Sequence, residues 1–156
     1  MPAVSIVYDL GRHGWSSFAL TVGDDAIDIG PFGYCTDALG DLVRAALILA
    51  TSGYHAEVCF DGEPREWRLV LDEGWKPELR LRVYDTAKHP NADLVFENYV
   101  AADDFAHAVR TVAQHIWDTY GAAGYNEAWS GQQGFPLRGL KALDTALSYE
   151  EPPPKG

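Results

Sequence analysis

The residues able to do chemistry are few and scattered. Among the five histidines, His13 follows Arg12 in the turn Gly11-Arg12-His13-Gly14 and comes four residues after Asp9. An Asp9–His13 pair would make a general base, because a carboxylate fixes both the tautomer and the orientation of an imidazole. A glycine-bounded turn explains the same residues with fewer assumptions. His55 shares an alternating segment with Glu57 and is a second, weaker candidate for a His/acid site. His107 and His115 fall eight residues apart on one helical pattern. That is about 12 Å along the axis, too far to share a metal. His89 precedes Pro90 in a loop. There is no GxSxG elbow, P-loop, GxGxxG or HExxH, and no Cys-rich spacing for structural zinc. The acids Glu57, Asp61, Glu63 and Glu66 crowd one hairpin but do not match an EF-hand loop. Neither a metal nor a cofactor is expected, and the chain reads more as a binding protein than as an enzyme.

Binding residues are easier to nominate. Arg65, Arg68, Lys76, Arg80, Arg82 and Lys88 make up half of the 12 basic residues. Of these, Arg68, Arg80 and Arg82 fall on the polar side of their segments with Glu66, Glu78 and Tyr84. They read either as cross-strand ion pairs, worth about 0.2–1 kcal/mol each, or as a patch for an anion or carboxylate, which the planar guanidinium suits. Trp75 at a hairpin tip, and Tyr125, Trp129 and Phe135 in a glycine-rich stretch, are interface anchors or plugs at the edge of the core. Trp67 and Trp117 lie on or beside core faces.

Hydrophobic periodicity supplies the elements that position these residues. Strands are expected over Val4–Leu10, Trp15–Val22 and Ala26–Ile29, then around Tyr54–Phe60, Trp67–Leu71, Leu79–Val83 and Leu94–Val100, from two-residue alternation. A first helix follows from Thr36 as N-cap to Gly53 as stop, with Leu39, Leu42, Val43, Ala46 and Ala50 on one face. Ile48 falls off that face, so either a further element covers it or it is an exposed contact. A second helix is expected from Asp103 to Tyr120, ending at Gly121, and a short third one after Pro136 with Leu137, Leu140, Leu143 and Leu147 on one side. The fold class is α+β: an antiparallel sheet of about six strands, two longer helices on one face and a short C-terminal helix.

The chain of 156 residues suits one domain, read as 1–149 with a proline-rich disordered tail at 150–156. Its net charge of −11 disfavours nucleic acid and anionic membrane surfaces. No apolar run reaches the roughly 18 residues of a membrane span. No basic, apolar leader opens the sequence, so a cytoplasmic location is expected. Cys35 and Cys59 are too few for a disulfide framework and read as small, partly buried apolar residues. The charge is uneven, since residues 1–64 hold nine acids and two bases.

Three motifs carry a resemblance: Thr36-Asp37-Ala38-Leu39-Gly40-Asp41-Leu42, Phe60-Asp61-Gly62-Glu63-Pro64 before Trp67, and Tyr125-Asn126-Glu127-Ala128-Trp129 before Phe135-Pro136. Together they resemble a family of small uncharacterised bacterial proteins. The resemblance implies a bacterial cytoplasmic protein and assigns no catalytic residue. Three functions compete. The favoured one is a non-catalytic acidic protein that binds a protein partner, in its sharpest form an immunity-like inhibitor of a basic toxin or nuclease. The others are a small-molecule enzyme using His13 or His55 with nearby acids, and a structural homo-oligomer assembled through Ile48 or Trp129.

Overall fold

Segments with two-residue alternation become strands, and those with three- and four-residue spacing become helices. The computed structural model describes residues 2–73, 78–87 and 92–148. Its elements run β1 (Val4–Leu10), β2 (Trp15–Val22), β3 (Asp25–Gly33), α1 (Ala38–Thr51), β4 (Ala56–Asp61), β5 (Glu66–Glu73), β6 (Glu78–Asp85), β7 (Asp93–Ala101), α2 (Ala102–Ala128) and α3 (Leu137–Ser148). The α+β class is as expected, but the single sheet of about six strands is not. There are two antiparallel sheets, β1-β2-β3 and β4-β5-β6-β7. The connection explains the division: β3 and β4 are joined by α1 rather than by a hairpin, and no backbone ladder runs between them. β3 is also longer than the expected Ala26–Ile29, continuing through Pro31 to Gly33.

One apolar core joins the two sheets. The alternating positions Phe18, Leu20 and Val22 of β2, Ile29 and Phe32 of β3, Val58 and Phe60 of β4, and Leu69 and Leu71 of β5 are all buried in it. Phe60 is the hinge of this packing, with its ring 5.4 Å from Phe18 and 4.9 Å from Phe32. Each such side chain contributes about 1.5–3 kcal/mol through burial. At the far end, Asn98 of β7 donates to Asp25 at the start of β3 across 3.0 Å.

The helices close the core. α1 packs on β4, α2 and α3, while α2 packs on β1 and β7. Asp37, not Thr36, caps α1, since its carboxylate accepts from the Gly40 N–H at 3.3 Å. The Thr36 hydroxyl is occupied elsewhere, donating to the Cys59 carbonyl at 3.0 Å and so tying the start of α1 to β4. No described element covers Ile48, which is 38% exposed; its side chain lies against Gly53, whose N–H donates to the Ile48 carbonyl at 2.8 Å. α2 breaks at Gly121 (φ 64°, ψ −174°), where the second helix was expected to end, and then resumes to Ala128. Glycine takes this left-handed conformation without a Cβ penalty, and the resumed helix carries Tyr125 onto the core. None of the described helices is long and apolar enough to cross a membrane.

Candidate functional site

The loops at one end of the molecule are tied together by short backbone contacts. In the turn between β1 and β2, Trp15 N–H donates to the Arg12 carbonyl at 3.2 Å, and Gly14 N–H donates to the Ala128 carbonyl of α2 at 2.9 Å. His13 is held at φ 58°, a sparsely populated region for a residue with a side chain. The Tyr34 ring, on the connection from β3 to α1, lies over Gly14. Where this turn meets the break in α2 there is a cavity of about 690 Å³, lined by Leu10, Arg12, His13, Tyr120, Gly124 and Glu127 among others. Tyr120 donates its hydroxyl to the Leu10 carbonyl at 3.4 Å.

His13 therefore shares a cavity with Arg12, Tyr120 and Glu127, and not with Asp9. Asp9 is exposed on the opposite side of β1 from the buried Tyr8 and Leu10. Among the described residues no hydrogen bond or ion pair joins it to His13, so the expected Asp–His base does not form. Glu127 and Tyr120 are the residues that sequence reasoning missed here. Extending the helical spacing past Gly121 through Tyr125 was the signal that would have brought Glu127 onto the same wall.

The outward face of the four-stranded sheet carries the arginine cluster, and its charges face one another. Arg68 lies 3.5 Å from Glu57, which also has His55 at 3.8 Å. Arg80 spans both oxygens of Asp72 at 3.3 and 3.5 Å, and Arg82 pairs with the same carboxylate. Arg82 also donates to the Tyr84 hydroxyl at 2.7 Å. The Tyr84 ring receives both guanidinium groups, Arg68 at 5.5 Å and Arg82 at 5.6 Å. Register explains the arrangement, because β5–β6 pairing sets Asp72 opposite Arg80, Val70 opposite Arg82 and Arg68 opposite Tyr84. These aliphatic stems leave Val70 only 7% exposed although it points away from the core. Each of these guanidinium groups thus has a carboxylate within 4.0 Å, although the Nε of Arg82 is buried with no hydrogen-bond partner among the described residues. On the neighbouring edge Arg65 pairs with Asp85 and stacks over Trp67 at 4.5 Å.

Tyr125 and Trp129 are fully buried and present no surface to a partner. Trp129 donates its indole N–H to Gln133 at 2.5 Å, and Gln133 donates in turn to the Tyr34 carbonyl at 3.0 Å. Phe135 packs edge-on to Tyr125 at 5.4 Å and against Trp117 at 5.0 Å. These aromatics seal the core beneath the loop after α2, and the homo-oligomer contact expected through Trp129 has no exposed side chain to make it. Trp75 and His89 lie outside the described residues. The hydroxyls of Tyr8, Ser16 and Tyr125 are buried with no hydrogen-bond partner among the described residues. Burial pushes both tyrosines well above their ordinary pKa. It also raises the carboxyl of Asp37.

Trp15, Tyr34 and Tyr120 are large aromatics exposed at this end, at 40%, 39% and 40%. Nearby, Cys35, Asp61 and Glu63 bring one ligand atom each within 4.8 Å of one another. Cys35 is exposed, contrary to its reading as a partly buried apolar residue, and its thiol donates to Glu63, which raises its pKa. Cys59 is half-buried, and burial pushes its thiol up to about 11. Both cysteines are free.

Further acidic side chains stand without a cation, those of the β2–β3 turn at the opposite end of the strands. Asp9 and Asp28 are exposed on outward positions of β1 and β3, Asp24 and Asp25 are exposed at the β2–β3 turn, and Glu63 is exposed at the β4–β5 turn. None of them has a Lys, Arg or His nitrogen within 4.0 Å among the described residues. No protein-family model, curated protein or solved structure matches the chain.

Proposed function

We propose that this protein binds a basic protein partner and catalyses no reaction itself, in the manner of an immunity protein that covers a basic toxin or nuclease. One observation carries the reading: the acids of the three-stranded sheet and its turns stand without cations, while the arginines of the four-stranded sheet are spent on Asp72, Glu57 and Tyr84. A field of one sign left uncompensated on one part of a surface steers an oppositely charged partner and speeds association by about 10–1000-fold. Pairing within the four-stranded sheet keeps the basic residues from cancelling that field. The Asp9–His13 base that would favour catalysis is not assembled.

The test is affinity capture from source cells on the immobilised protein, followed by association kinetics with the captured partner at rising ionic strength. The reading requires a partner of positive net charge, and an on-rate that falls steeply with salt. Replacing Asp9, Asp24 and Asp28 together by Asn should lower the on-rate in the same way. Recovery of only neutral or acidic proteins, or an on-rate indifferent to both salt and the triple replacement, overturns it.

A further inference from the structure

The cavity at the break in α2 is walled by two opposite charges that do not neutralise each other. Arg12 and Glu127 both line it, yet no ion pair or hydrogen bond joins them or gives either side chain another charged partner among the described residues. Arg12 shares this with Arg138, whereas Arg44, Arg65, Arg68, Arg80, Arg82 and Arg110 each have a carboxylate within 4.0 Å. A simple anion entering the cavity would gain from Arg12 and be repelled by Glu127, and a simple cation would meet the reverse. A ligand carrying both charges gains from both walls.

We propose that this cavity binds a free α-amino acid as its zwitterion. The carboxylate faces Arg12, with His13 beside it, and the ammonium group faces Glu127. The side chain rests against Leu10 and the ring of Tyr120, which is 40% exposed at the rim. The volume of about 690 Å³ falls in the range of small-molecule sites, about 300–1000 Å³. The walls are also fixed in advance: the Gly14–Ala128 bond clamps the turn bearing Arg12 and His13 onto α2, and His13 holds its left-handed backbone within that clamp. Strain of this kind persists where the surrounding structure over-determines it, as at ligand sites. This site stands independently of the partner-binding reading.

The experiment is an NMR titration of the full chain with L-phenylalanine, and with its two singly charged analogues, phenethylamine and 3-phenylpropanoate. Saturable shifts at Arg12, His13 and Tyr120 with phenylalanine are expected, together with about tenfold or weaker binding of each analogue, the cost of losing one charged contact. Arg12→Gln and Glu127→Gln should each weaken phenylalanine binding to the same degree. Both positions are exposed, so folding is checked simply by an unchanged spectrum elsewhere. Absence of saturable shifts with phenylalanine, an affinity for either analogue equal to that for phenylalanine, or unchanged phenylalanine binding in either single variant overturns the assignment.

Discussion

The ring of Tyr34 occupies the space above Gly14 so closely that a Cβ there would come within 2.3 Å of Tyr34 Cδ1. The same glycine has φ 77°, a left-handed conformation that disfavours any side chain. Its N–H meanwhile holds α2 through the Ala128 carbonyl. Gly14→Ala should therefore lower stability by about 1–3 kcal/mol, the cost of a strained backbone position with a clash added. Urea unfolding measures it. A stability equal to that of the parent chain would show that the turn and Tyr34 rearrange freely.

Asp72 answers for two arginines at once, Arg80 and Arg82. Asp72→Ala leaves both guanidinium groups without their shared carboxylate, and a lower unfolding midpoint is expected, a modest change because Arg80 is exposed to water. Removing Tyr84 as Tyr84→Phe deletes only the bond from Arg82 and keeps the ring, so a smaller loss is expected. Comparison of the two by chemical denaturation separates the ion pairs from the stacking.

The periodic segments were legible because each shows one face to apolar packing and another to water. The seven strands, the first helix and the third all follow from alternation or helical spacing in the residues themselves. Less legible was whatever depends on pairing between distant segments. That Phe60 would pack against both Phe18 and Phe32 while no ladder joined β3 to β4 is a tertiary outcome. The choice of Asp37 over Thr36 as cap turned on a hydroxyl committed to Cys59, a residue on another element. Tyr125 and Trp129 looked equally suited to surface and core in a glycine-rich stretch. Only the resumption of α2 beyond Gly121 placed them inside. At the candidate site, His13 and Arg12 stood out in the sequence, whereas Glu127 lies over a hundred residues away, beyond the Gly121 where the second helix was expected to end.

Asp37 caps α1 from a half-buried position, and burial raises its carboxyl above the ordinary value, with the Gly40 N–H opposing the shift. An acid whose folded-state pKa is raised holds its proton more tightly when folded. Its ionisation then costs stability as pH climbs through the window between the ordinary and the raised value. Asp37→Asn keeps an N-cap acceptor but has no charge to desolvate. The variant is expected to gain stability over the parent chain above that window and to lose the advantage below it. Thermal unfolding at acid and neutral pH checks the sign, and an advantage that grows in acid would contradict it.

Cys35 donates to Glu63, and that contact is the leading cause of its raised pKa. Less thiolate at neutral pH means slower reaction with a disulfide reagent. Glu63→Gln should therefore speed labelling of Cys35 in the native protein. Cys59, half-buried and pushed up to about 11, should stay slow in both forms until the chain unfolds. Labelling kinetics followed by mass spectrometry resolve the two thiols.

The exposed acids of the three-stranded sheet and its turns carry the account of function. Its most direct test is the association rate with the captured partner, measured from low to high salt for the parent chain and for the variant with Asp9, Asp24 and Asp28 replaced by Asn. A basic partner is expected, with an on-rate that falls about tenfold or more as salt rises, and a variant that starts slow and responds weakly to salt. An on-rate that is the same at every ionic strength and in both proteins would contradict it.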